Sequence, residues 1–110
     1  MKNLTTFYKD TIIDILNKIS EETEMIQKAA KVVAESIARE EPVHVIGPGG
    51  HSNMAAEEVL WRAGGLAPMN AILDAGTNLI HGAKRSNIIE RTPGYAIKVL
   101  DAYRVGKKPG

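Results

Sequence analysis

Residues 43–60, VHVIGPGGHSNMAAEEVL, decide how this chain is to be read. The run Val43–Ile46 is β-branched and apolar, bounded by Pro42 and Gly47, as a short strand should be. A glycine cluster follows, then Ser52 and Asn53, then a stretch from Asn53 to Arg62 with helical apolar spacing and the Gly64–Gly65 pair as its stop. A strand, a glycine loop and a helix aim backbone N–H groups and the positive end of a helix dipole at one point, a geometry that binds anions. Gly47, Gly49 and Gly50 permit conformations and close approaches that a Cβ would block. His51, Ser52 and Asn53 can add side-chain donors. Ser52 admits two compatible readings: an N-cap contributing about 1 kcal/mol of stability, or a group touching a phosphate oxygen.

The loop discriminates among phosphates. A Walker A loop ends in Gly-Lys-Ser/Thr, and residues 43–60 contain no lysine, which excludes that reading. The dinucleotide fingerprint needs a third glycine where Ser52 stands, although Asp74 lies where a ribose-binding acid is expected. That alternative stays open.

Upstream, residues 3–19 read as an amphipathic helix through Leu4, Phe7, Tyr8, Ile12, Ile15, Leu16 and Ile19, with SEET at 20–23 as a break or kink. A second helix to about Glu40 sets Ile26, Ala29, Ala30, Val33 and Ile37 opposite Glu24, Lys28, Lys31, Glu35 and Arg39. Downstream, 69–74 reads as a second strand, with His44 of the first taken as a packed core histidine. The stretch AGTNLIHGAKRSN reads as irregular loop. Thr92 and Pro93 then serve as N-cap and first helical position for GYAIKVLDAYRV, and GKKPG closes as a turn.

Strands separated by helices predict an α/β domain with a parallel sheet. Two strands are too few for such a sheet. The expectation is therefore the N-terminal part of a doubly wound sheet, preceded by two long helices; the alternative is that two copies complete each other's sheet in an oligomer. Residues 1–110 form one incomplete domain, divided into helices at 1–41 and the start of the sheet at 42–110. A sheet left open at its edges predicts a chain that is marginally stable alone.

Composition narrows the classes. With 44% hydrophobic and 25% charged residues the chain is ordinary for a globular protein, and no apolar run approaches the roughly 20 residues of a membrane span. MKNLTTFYKD has no signal-peptide core, so a cytoplasmic protein without membrane association is expected. The absence of cysteine excludes disulfides and thiolate metal sites, and no histidine pair has helical ligand spacing, so no metal and no cofactor are expected. The net charge of +1 hides an asymmetry: six Lys/Arg against eight Asp/Glu give −2 over residues 1–41, whereas seven against two give +5 over 81–110. That basic third suits phosphate or an acidic surface; with no interleaved aromatics it does not suit nucleic acid.

Gly47-Pro48-Gly49-Gly50-His51-Ser52, set between a first strand and a helix and preceded by two long helices, resembles the SIS (sugar isomerase) domain, in its phosphoheptose-isomerase-like, phosphosugar-binding group. The segment IHGAKRSNIIERTPGYAIKVLDAYRVGKKPG resembles that group's stretch between second and third strands, so the likeness covers nearly the whole chain. It implies a five-stranded parallel sheet of flavodoxin-like topology, a homodimer or homotetramer, and a phosphorylated sugar bound at the subunit boundary. The group's usual serine falls one position earlier, where this chain has His51. Counted from Gly47 without gaps, Glu57 falls where phosphoheptose isomerases carry a metal-binding histidine, and Trp61 where they carry a catalytic glutamate.

Aldose–ketose isomerisation needs a positioned base and enediolate stabilisation. Glu57 and Glu58 are the acids nearest the loop, and neighbours on a helix point about 100° apart, so only one can face a site. Glu57 and His81 are the candidate catalytic residues. Gly47, Gly49, Gly50, His51, Ser52 and Asn53 form the expected phosphate cradle, with Arg85 and Ser86 as a second anion contact or a subunit contact. Three functions follow: a sugar-phosphate isomerase, a non-catalytic sugar-phosphate sensor, or a Rossmann-like dinucleotide binder using Asp74.

Overall fold

A computed structural model describes residues 3–106 of the chain. The chain forms two compact units, one up to Arg39 and one from Glu40 onward.

The first unit is helical. Helix α1 spans Leu4–Glu21, begun by Asn3, whose side chain accepts the Thr5 N–H at 3.0 Å. Helix α2 spans Thr23–Ala38. The SEET segment therefore kinks the helical run at the single residue Glu22, where φ −77° and ψ 31° interrupt the ladder. The Thr23 hydroxyl bridges the gap by donating to the Ser20 carbonyl. Ion pairs one turn apart, Asp14–Lys18 and Glu24–Lys28, each at 2.7 Å, support the polar faces by a few tenths of a kcal/mol. No residue of either helix is buried; Leu4, Phe7, Tyr8, Leu16, Ile19 and Ile26 are exposed, while Val33 and Ile37 are half-buried.

The second unit is α/β. Strand β1 (Val43–Ile46) pairs in parallel with β2 (Met69–Ile72), in register Val43↔Met69 through Ile46↔Ile72. Helix α3 (Asn53–Val59) connects them and packs on both strands, burying Ala56 completely. Opposite registered residues point to one side of the sheet, so Ile46 and Ile72 share a face; Ile72 is wholly buried and, with Ala56 and Val99, makes the small aliphatic core.

Several expectations need correction. The second strand stops at Ile72 instead of residue 74, because Asp74 turns its carboxylate into the following turn to accept the Thr77 N–H at 2.9 Å. Helix α3 ends at Val59, not Arg62. Leu60 is already extended (ψ 128°), and Trp61 has the left-handed backbone (φ 54°) expected of the later glycines. The stretch read as irregular holds a short 3₁₀ turn at Leu79–His81 and helix α4 over Ala83–Glu90. Helix α5 runs Tyr95–Ala102, with Gly94 (φ 79°) as its N-cap; the Thr92 hydroxyl points backward to the Ile88 carbonyl, closing α4. His44 is exposed, and its Nδ1 lies 2.9 Å from the Asn70 amide on the neighbouring strand. The turn at KKPG lies outside the described residues.

The result is a mixed α/β chain with five α-helices and one two-stranded parallel sheet among the described residues. Among the described residues no helix is long and apolar enough to cross a membrane.

Candidate functional site

The glycine loop leaves the C-terminal end of β1 and is folded tightly on itself. At Gly47 a Cβ would collide with the Ser52 carbonyl and the Asn53 amide, so the chain can double back there only with glycine. Ser52 stands at the N-cap position of α3 with helical φ and ψ (−69°, −18°), but its side chain makes no bond to the helix start, so of its two readings the capping bond is not made. Its hydroxyl ties off the loop: Oγ accepts the Gly49 N–H at 2.9 Å and donates to the Gly49 carbonyl at 3.0 Å. The same carbonyl accepts from the Asn53 N–H at 3.1 Å.

That arrangement occupies the amides of Gly49 and Asn53. Among the described residues, the N–H groups of Gly50, His51 and Ser52 have no acceptor. Consecutive unpaired amides at a turn form a concavity of positive potential suited to an anion. Asn53 is 1% exposed, yet neither its Nδ2 nor its Oδ1 has a hydrogen-bond partner. A buried amide in that state costs on the order of 1–3 kcal/mol per unpaired group. The His51 side chain is exposed beside these groups.

The segment following β2 closes over this loop. Gly50 packs against the Leu79 side chain. Asn78 accepts the Ile80 N–H at 2.8 Å, starting the 3₁₀ turn, while its Nδ2 reaches Glu57 Oε1 on α3 at 3.5 Å. The segment is held from beneath by α4: the buried Ser86 hydroxyl donates to the Thr77 carbonyl at 2.7 Å, and Arg85 Nη1 donates to the Ala75 carbonyl at 3.0 Å.

Asp74, at the end of β2, has its carboxylate engaged by the Thr77 N–H and by the Tyr95 hydroxyl. The hydrogen bond to Asp74, then burial, then the negative charge of Asp74 push the Tyr95 hydroxyl above its ordinary pKa, against a smaller opposing effect of Arg85. The carboxylate that a ribose would need is therefore occupied.

Between the glycine loop, Asp74 and α5 lies a cavity of ≈ 140 Å³, lined in part by Ile46, Pro48, Asp74, Thr77, Glu90 and Tyr95. Glu90, the last residue of α4, brings its carboxylate against Gly49: a Cβ at Gly49 would stand 2.7 Å from Glu90 Oε2. The sequence contains no local signal for this, since Glu90 and Gly49 meet only through the fold.

Thus residues 47–53 come together as one loop, and Glu57 lies at its edge, tied to Asn78. His81 is exposed at the end of the 3₁₀ turn. Arg85 and Ser86 direct their polar groups to the backbone of the 75–77 turn. Trp61, at the left-handed residue after α3, is 97% exposed.

Comparison with known proteins locates this architecture. A family model described as "SIS domain" matches residues 7–109. A UPF0309 protein of Caldanaerobacter subterraneus subsp. tengcongensis is 42% identical over 102 residues, covering 91% of this chain and 41% of the relative. A UPF0309 protein of Listeria innocua is 40% identical over 90 residues (81% of this chain, 36% of the relative). One of Brucella ovis is 35% identical over 106 residues (96% and 43%). The chain spans about two-fifths of the length of the curated relatives it matches.

Proposed function

Because the chain belongs to the SIS domain family, we propose that it binds a phosphorylated sugar, with the phosphate on the loop Gly47–Asn53. The observation that carries this reading is the run of three unpaired amides at Gly50, His51 and Ser52, standing at the carboxyl end of a parallel strand. Ligands of open α/β sheets gather at that end. The buried, unpaired Asn53 amide supports the same reading, since a polar group kept at such a cost is explained by a partner that arrives with the ligand.

The activity that goes with this site is aldose–ketose isomerisation in a protein of carbohydrate metabolism located in the cytoplasm. Glu57 or His81 would move the proton between neighbouring carbons, while Arg85 and Ser86 would act on the substrate side only if freed from the 75–77 turn. A non-catalytic sensor is the second reading. Two observations favour it: Glu57 is exposed and engaged by Asn78, and the position where phosphoheptose isomerases carry a catalytic glutamate holds an outward-facing Trp61. Assembly into a homodimer or homotetramer belongs to the same proposal and would use the exposed apolar residues of α1 and α2. Metal, cofactor, nucleic acid and membrane have no place in it.

The test is a titration of the chain with inorganic phosphate, fructose 6-phosphate, glucose 6-phosphate and NAD, followed through its amide NMR spectrum. Saturable shifts confined to residues 49–53 are expected with the phosphates. Ser52→Ala, which releases the Gly49 N–H and loosens the loop, should weaken them. No saturable shift with any phosphate would reject the reading, and selective binding of NAD would replace it. Interconversion of the two sugar phosphates, lost in Glu57→Gln or His81→Asn, separates the enzyme from the sensor.

A further inference from the structure

The residues beside the loop include a carboxylate better placed to meet a ligand than any read from the sequence. We propose that Glu90 contacts the sugar portion of the ligand, accepting a hydrogen bond from a sugar hydroxyl while the phosphate rests on residues 49–53. The inference rests on the phosphosugar reading and adds to it the residue that distinguishes a sugar phosphate from bare phosphate.

Glu90 Oε2 lies 2.7 Å from the point a Cβ at Gly49 would occupy, and Glu90 lines the adjoining ≈ 140 Å³ cavity with Pro48 and Asp74. The absence of a side chain at Gly49 admits the carboxylate to that place. The Glu90 side chain is only 29% exposed, and among the described residues its one ion pair is Oε1 to Arg91 Nε at 3.6 Å, with an arginine that is itself 74% exposed. Among the described residues Oε2, the oxygen turned toward Gly49, has no hydrogen-bond partner. A carboxylate partly withdrawn from water with an unused oxygen is a strong acceptor for a ligand hydroxyl. Of the other acids near the loop, Asp74 has both oxygens engaged by Tyr95 and Thr77, and Glu57, held by Asn78 at 3.5 Å, does not line this cavity.

Glu90 ends α4, and α4 is pinned to the turn after β2 by the buried Ser86–Thr77 bond and by Arg85–Ala75. The carboxylate is thus presented from a braced helix end, not from a free loop.

The sign of the electrostatics separates this role from phosphate binding. A carboxylate next to a bound phosphate repels it, so Glu90 opposes inorganic phosphate and favours only a ligand that brings a hydroxyl donor to Oε2. The deciding experiment measures, on the full chain, dissociation constants for inorganic phosphate, fructose 6-phosphate and glucose 6-phosphate with wild type and with Glu90→Gln. Wild type should bind at least one sugar phosphate more tightly than phosphate. Glu90→Gln should lower that advantage about ten-fold or more while leaving phosphate affinity equal or higher. If Glu90→Gln does not give a folded amide spectrum, Glu90→Asp, which withdraws the carboxylate by one methylene, should show the same selective loss. Phosphate binding with an undiminished sugar advantage in the variant overturns the role of Glu90 and leaves the loop's role standing, as does a wild type that binds sugar phosphates no better than phosphate. A wild type that binds no phosphate overturns both.

Discussion

The hydroxyl of Tyr95, in the first turn of α5, lies 3.0 and 2.8 Å from the two carboxylate oxygens of Asp74 at the end of β2. The tyrosine donates and the carboxylate accepts, so the pair holds only while Tyr95 keeps its proton. Its folded-state pKa is raised above the ordinary 10.0, mainly by this hydrogen bond. A raised pKa means that the folded state binds the proton more tightly than the unfolded chain. The stabilisation is therefore present in full below about pH 10 and is lost as pH climbs through the folded-state value. Denaturant unfolding of wild type should weaken more between pH 9 and 11 than that of Tyr95→Phe, which has no proton to lose; parallel pH profiles would count against the pair.

Ser86 is 2% exposed and gives its only hydroxyl hydrogen to the Thr77 carbonyl at 2.7 Å. Ser86→Ala removes the donor and strands a carbonyl in a buried turn, which should cost about 1–3 kcal/mol in urea unfolding. It should also loosen α4 relative to the turn after β2, seen as faster amide exchange over residues 77–86.

Gly47→Ala should be the most damaging single change in the loop. The added methyl meets backbone, not a movable side-chain end, and overpacking of that kind costs on the order of 1–3 kcal/mol or more. Gly49→Ala should be tolerated far better, because there the methyl meets only the tip of Glu90, which can swing away. Midpoints of chemical denaturation for the two variants would settle the order.

Asn53 should show opposite effects on stability and binding. Replacing it with leucine removes two unpaired buried polar atoms, so Asn53→Leu should be neutral or stabilising by about 1 kcal/mol. The same change should reduce phosphate affinity if the amide is kept for the ligand. A large loss of stability would show instead that the amide has a partner in the folded chain.

What could be read in advance follows from the range of the interactions. Strand β1, the glycine loop and the start of α3 were legible because Pro42, the β-branched run and the glycines carry their own backbone preferences. Helix α4 was not. AKRSNIIE has only two adjacent large aliphatics, and the residue before it, Gly82 with φ 110°, is no conventional cap. Thr92 misled because a hydroxyl before proline looks the same whether it opens the next helix or, as here, turns back to close the last one. Ser52 misled for a similar reason: its hydroxyl serves the loop behind it and not the helix ahead. Glu90 was beyond reach, since its meeting with Gly49 depends on α4, on the turn after β2 and on the parallel pairing that brings both to one end of the sheet.

Trp61 has a spectroscopic consequence. It is the sole tryptophan of the chain, and at 97% exposure its indole is already in water while the protein is folded. Unfolding leaves its surroundings nearly unchanged, so its emission should barely shift across a denaturation curve that circular dichroism records in full. The same residue becomes a reporter for anything that lands on it: a second chain or a partner covering the end of α3 should move the emission to shorter wavelength and shield it from iodide.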